Sequence, residues 1–269
     1  MQIKYFVAYW GNTHLSLDGF LEKASADGYH GVEIGLDPAT MDIHHIRRRC
    51  AEYGLDLIAQ HPYATEILED YTSKLERILE TGPLFVNCHT GKDYFTAAEN
   101  GAFLEVARGL SDTYGIAVLH ETHRGRFPFC PSVTRDYLEA YPYLQFTADF
   151  SHWCVVSESL LDDQAQALAA IIPQCAHIHA RVGHAQGPQV PHPGAPEYAK
   201  ELEAHLGWWK RILDFQSARG NAFATITCEF GPSPYMQTLP FTRTPVAELW
   251  EVNLFMKDYL IKKFQYETA

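Results

Sequence analysis

Eight short apolar runs recur along the chain, at residues 3–9, 31–35, 55–60, 85–89, 116–121, 145–149, 176–181 and 222–229. They scarcely alternate between apolar and polar positions, as parallel strands covered on both faces do not. Helical spacing fills the intervals. Leu17, Phe20, Leu21 and Ala24 share a face behind a capping Ser16, and Gly28 stops that helix. Ile43, Ile46 and Cys50 form the stripe of the next, which Gly54 ends. Tyr198, Leu202, Leu206, Trp209 and Leu213 recur every three or four residues further on. A final helix is expected to open at Thr244-Pro245 and to run through Leu249, Val252, Phe255 and Tyr259. Eight strands each followed by a helix predict an α/β fold, a single (β/α)8 TIM barrel over residues 1–269, with a doubly wound open sheet as the alternative. The one irregular stretch, residues 183–196, is rich in Gly and Pro and is expected to fold over the barrel mouth.

Composition narrows the function. The formal net charge of −12 repels nucleic-acid phosphates and anionic lipid, and the one basic run, Arg47-Arg48-Arg49, suits a solvated helix face. No nucleic-acid or membrane partner is expected. No run reaches the length of a membrane span, and the six cysteines form no C-x-x-C pair. A reduced cytoplasmic setting is the expectation.

In a barrel of this kind, active sites lie where strands end and helices begin. Those positions hold an uneven share of polar residues: His61, His89, Glu121, Asp149 with His152 after it, His177, His179 with Arg181 after it, and Glu229. Glu121, Asp149 and His179 follow one another at about one βα unit each, and the longer step to Glu229 is one unit plus the irregular stretch. Crowded carboxylates repel one another unless a cation lies among them, so a divalent metal is expected.

The strand-end motifs VLHETH, TADFSHW, HIHAR and TCEFG resemble those of the xylose-isomerase-like barrel superfamily of sugar isomerases and epimerases, along nearly the whole chain. The resemblance implies that Glu121, Asp149, His179 and Glu229 hold the metal, while His152 and Arg181 face substrate oxygens. Three carboxylates and one imidazole favour Mn²⁺, with Mg²⁺, Co²⁺ or Zn²⁺ as alternatives. It implies a sugar or polyol substrate and proton transfer next to a carbonyl through a metal-stabilised enediolate, with Glu121 and Glu229 as base and acid. The alternative is that both only hold metal and a histidine such as His152 moves the proton. His61 and His89 either contact substrate or cap their loops. Glu33 is expected to pair locally. Thr-His-Arg-Gly-Arg follows Glu121, unlike the sugar epimerases, and His123, Arg124 and Arg126 either dock a substrate anion or form surface ion pairs. His184 and His192 belong to the stretch expected to cover the site. Trp10, Trp153, Phe127 and Phe129 either wall a sugar ring or fill the core.

Two other activities fit the same residues. A lyase or dehydratase acting on an inosose or keto-sugar shares the first step. A zinc phosphodiesterase resembling endonuclease IV would add His61 and His89 to the ligands, but its further Asp-x-His pair has no counterpart in GHAQGPQVPHPG. Barrels of this family often pair, so the resemblance allows a homodimer, but no sequence feature marks an interface and the oligomeric state stays open.

Overall fold

The computed structural model describes residues 1–62 and 65–265. Its eight parallel strands are β1 (Gln2–Ala8), β2 (Gly31–Gly35), β3 (Asp56–His61), β4 (Val86–Cys88), β5 (Val118–Glu121), β6 (Phe146–Ala148), β7 (Cys175–His179) and β8 (Phe223–Cys228). Each pairs with the next and β8 pairs with β1, so the sheet closes into the expected barrel. Helices α1 (Leu17–Ala26), α2 (Ile43–Glu52), α3 (Leu68–Leu79), α4 (Ala97–Tyr114) and α5 (Pro131–Ala140) follow the first five strands. Two short helices, α6 (Phe150–Val156) and α7 (Ala165–Ile171), share the interval after β6. Helices α8 (Ala199–Ala218) and α9 (Leu249–Gln265) complete the ring. Among the described residues, no helix is long and apolar enough to cross a membrane.

Strand periodicity of two explains what lies on each side of the sheet. Val32 and Ile34, Leu57 and Ala59, Val86 and Cys88 point outward into the large core beneath the helices. Phe6, Ile58, Phe85 and Leu119 point inward and form a separate apolar cluster that fills the lower barrel. Close packing there makes Gly31 necessary, because a Cβ would lie 2.3 Å from the Phe6 ring and 2.4 Å from the Asp56 carbonyl oxygen. One step nearer the C-terminal ends, the same inward parity selects Glu33, Asn87, Thr147, His177 and Thr227, all buried.

Local punctuation is largely as expected. Ser16 Oγ accepts from the Gly19 amide at 3.1 Å, and Gly28 takes φ +73° after α1. Two expectations need correction. Helix α9 opens at Leu249, not at Thr244-Pro245, because that segment runs back against Thr238 in a turn closed by Val246 N–H donating to the Gln237 carbonyl at 3.0 Å. The stretch 183–196 does not bring His184 or His192 to the mouth. His192 packs on Phe255 of α9 with ring centroids 4.8 Å apart, and His184 accepts from the Gln186 amide within its own turn. What this stretch offers the mouth is Gln189, whose amide accepts from Gly231 N at 2.7 Å and donates to Gly231 O at 3.1 Å.

Candidate metal centre at the barrel mouth

Four of the expected residues converge. Glu121 closes β5, Asp149 follows β6, His179 closes β7 and Glu229 follows β8. Each offers a ligand atom, and these atoms all lie within 4.8 Å of one another, fully or almost fully buried. Inward parity turns each side chain toward the axis, at the strand ends where the chain leaves the sheet.

Buried neighbours fix their orientation. Glu33 accepts from Thr227 Oγ1 at 2.7 Å and from Asn87 Nδ2 at 3.0 Å, and lies 3.0 Å from His179 Nε2. Asn87 Nδ2 also donates to Glu121 at 2.8 Å, tying the two glutamates together. With Nε2–H directed at Glu33, His179 turns Nδ1 toward Glu229 Oε2, 2.7 Å away. This pair is close but poorly aligned: both atoms are buried and neither makes a hydrogen bond. Two orphaned buried groups aimed at one point, ringed by further carboxylates, suit a cation. Asp149 caps α6 through the Ser151 amide at 3.1 Å, accepts from Ser151 Oγ, and forms an ion pair with Arg181.

The charges do not balance without such a cation. Glu33, Glu121, Asp149 and Glu229 are all buried, and Arg181 is the one permanently charged base ion-paired with them among the described residues. Burial would strip the His179 proton, but Glu229, Glu33 and Glu121 outweigh it and raise its pKa well above the ordinary imidazole value. Burial likewise opposes ionisation of Glu121, yet His89 and His179 hold it well below the usual carboxylate range. Asp149 differs: burial pushes it up to about 6 despite Arg181. A set of three carboxylates and an imidazole, short of positive charge, fits a divalent ion of oxygen and nitrogen preference.

A cavity of about 160 Å³ opens over this centre. Glu121, Glu229, His89, Arg181 and Trp10 line it. His89 is held by the Pro62 carbonyl at 3.1 Å and lies 3.1 Å from Glu121. His123 also lines the cavity and forms a second cluster with His89 and Glu121. His152 lies behind this wall, fully buried, its ring 3.8 Å from that of His123 and its Nε2 2.8 Å from Arg181. His61 is not brought to the mouth. It closes β3 with outward parity and packs on Tyr71 of α3, ring centroids 4.9 Å apart. Gln60, one residue earlier, takes the inward place. Glu33 does not pair locally: its partners Asn87, His179 and Thr227 come from β4, β7 and β8, across the barrel, and with His177 and His179 it forms a further group able to hold a metal ion. Trp153 and Phe127 are buried core residues; Trp153 stacks on Phe150 at 4.6 Å.

Sequence reading missed Gln60, Asn87 and Tyr235. The first two are polar residues at inward positions of apolar strands, a signal that parity would have exposed. Tyr235 follows the Gly231-Pro232-Ser233-Pro234 turn and closes one side of the cavity, with Trp10 edge-on at 5.3 Å and the Arg181 guanidinium 4.7 Å from its ring centre.

Solved structures of similar fold extend over almost the whole chain. The probable 3-DHS dehydratase AsbF from Bacillus anthracis superposes with a TM-score of 0.62 at 14% identity, over 96% of this chain and 98% of its own. A xylose isomerase domain containing protein from Salmonella typhimurium gives 0.59 at 12% identity, over 97% of each chain. Endonuclease IV from Thermus thermophilus gives 0.56 at 14% identity, over all of both chains. No family model matches the sequence, and no curated protein is significantly similar to it. The fold is thus a closed (β/α)8 barrel similar to those of these proteins, holding a cluster of buried Glu, Asp and His able to bind a metal ion.

Proposed function

We propose that this protein is a sugar isomerase or epimerase, dependent on one divalent metal, that moves a proton next to a substrate carbonyl. The observation supporting this reading is the meeting of Glu121, Asp149, His179 and Glu229 beneath a small cavity edged by Trp10 and Tyr235. These four residues would hold the ion, Mn²⁺ first by donor chemistry, then Mg²⁺, Co²⁺ or Zn²⁺. When bound, such an ion polarises a carbonyl and steadies the charge that develops as a neighbouring proton leaves. Glu121 and Glu229 arrive from separate strands and act as base and acid on the substrate between them. Glu33 and Asn87 keep His179 and Glu121 in place, Arg181 offers N–H groups to substrate oxygens, and His89 lines the cavity against Glu121. Trp10 and Tyr235 offer an apolar wall to a sugar or polyol ring.

Elimination from an inosose or keto-sugar derivative is the second reading. It needs the same first proton removal, and one similar structure is that of a probable dehydratase. The zinc phosphodiesterase reading draws on His61 as a ligand, whereas that ring faces Tyr71.

The deciding experiment is incubation of Mn²⁺-loaded protein with a panel of ketoses, inososes and keto-sugars in D₂O, followed by NMR. Isomerase or epimerase action predicts deuterium at one carbon with all oxygens retained. Release of water would establish the lyase instead. Absence of exchange across the panel, together with cleavage of abasic-site DNA by zinc-loaded protein, would overturn both.

A further inference from the structure

We infer that the substrate carries an acidic group, a carboxylate or a phosphate ester, which docks on Arg124 and Arg126 at the rim of the mouth. The inference deepens the isomerase reading and rests on it.

Both arginines belong to a tight turn directly after β5. Arg126 N–H donates to the His123 carbonyl at 3.2 Å, and Gly125, at the third position, takes φ +76°. Glycine suits that place because a positive φ costs it little. The turn holds Arg124 and Arg126 at its second and fourth positions, immediately beyond His123 of the cavity wall. The Arg124 guanidinium lies 5.2 Å from the Tyr235 ring centre, and Arg181, whose Nη2 pairs with Asp149, lies 4.7 Å from the same ring. One aromatic side chain thus separates Arg124 from the candidate metal centre.

Elsewhere in this acidic chain Arg49 pairs with Asp18, Arg108 with Asp112, Arg135 with Asp136 and Arg181 with Asp149. Among the described residues neither Arg124 nor Arg126 forms an ion pair. Arg48 and Arg77, exposed on helices, form no ion pair either; Arg124 and Arg126 differ from them in being half-buried beside the candidate site. Arg126 donates one N–H to the Gly125 carbonyl at 3.0 Å, while its Nε is buried without a partner. Glu121 and Asp93 lie within electrostatic reach of Arg126, but neither bonds to it. A half-buried guanidinium lacking a counter-ion is costly, and its planar fork matches the oxygens of a carboxylate or phosphate. A chain with 33 acidic residues and 21 basic ones places this unmatched pair beside its largest concentration of buried carboxylates. An anionic substrate would neutralise the arginines at one end while its carbonyl end lies over Glu121 and Glu229.

The test is calorimetric titration of Mn²⁺-loaded protein with glucose 6-phosphate, glucuronate and glucose. At least one anionic sugar should bind about tenfold or more tighter than glucose, the gain expected of a charge-assisted contact. R124Q and R126Q should each remove most of that preference, with one Mn²⁺ still bound per chain and unchanged melting, since neither side chain bonds to the ligand set. Preference for the phosphate or the carboxylate names the group. Equal binding of all three sugars, no binding of either anion, or a preference that survives the double variant would overturn the inference. Failure of the unaltered protein to bind Mn²⁺ would instead sink the underlying metal reading.

Discussion

The lower and upper halves of the barrel interior solve one packing problem by opposite means. Below, Phe6, Ile58, Phe85 and Leu119 fill the axis with apolar volume, and the result is stable in itself. Above, Glu33, Asn87, Glu121, Asp149, His179 and Glu229 occupy equivalent inward positions with charge and hydrogen bonds. The sheet treats both halves alike, so the difference resides in the side chains. One half maintains the fold, and the other concentrates negative potential that the fold alone leaves uncompensated.

This contrast can be broken from either side. In the upper half, Glu229→Gln should lower turnover by about 10⁴-fold, since it removes both a proton-transfer group and a ligand charge, while the melting temperature stays near that of the parent. Full activity that also resists chelator would remove Glu229 from the chemistry. In the lower half, Phe6→Ala should cost about 3–5 kcal/mol in denaturant unfolding through the cavity it leaves. Its Mn²⁺ affinity in the folded state should hold; a large loss would show that the halves are not independent. Asp149→Asn should weaken Mn²⁺ binding by more than about 100-fold, beyond what loss of a supporting residue costs. Unchanged stoichiometry and affinity would remove it from the ligand set. Glu33→Gln, which leaves every ligand in place but weakens the hold on His179, should weaken Mn²⁺ by about 10- to 100-fold. An effect as large as that of Asp149→Asn would make Glu33 a ligand.

Acidity gives the smallest step. Metal binding needs Asp149 ionised and His179 Nδ1 free of its proton. Because the Asp149 pKa is raised to about 6, affinity should be insensitive to this group above pH 6 and fall below it. Because the His179 pKa is raised well above the ordinary value, one proton should already be displaced by each Mn²⁺ at neutral pH. Titration in buffers of differing ionisation enthalpy should therefore show about one proton released at pH 7, approaching two below pH 6. Release of none at pH 7 would mean that His179 does not bind through Nδ1.

The architecture was legible because parallel strands buried on both faces leave unbroken apolar runs, and because residues such as Ser16 and Gly28 mark helix limits. Glu121, Asp149, His179 and Glu229 stood out as charges at the ends of such runs. His61 shows where position alone misleads: it also ends an apolar strand, but its parity sends it outward to Tyr71 while Gln60 turns in. A strand end locates height along the axis, and only the phase of alternation locates the side. Tyr235 was beyond reach for a different reason. It reaches the cavity through a long excursion after β8, where neither period applies. Thr244-Pro245 carried a genuine helix-start signal that backbone pairing with the Thr238 region overrode.

The Gln189 amide, bonded both ways to the Gly231 backbone, bears on how molecules come and go. It fastens the stretch after β7 to the turn leading to Tyr235, so the two form a single leaf instead of two independent flaps. Trp10 lies against the same hinge point, where a Cβ on residue 231 would come within 2.2 Å of its ring. Displacement of Tyr235 would then carry Gln189 with it, and Gln189→Ala should loosen the turn, seen as faster hydrogen exchange at the Gly231 amide. An exchange rate unaltered by the substitution would show that the doorway is held elsewhere.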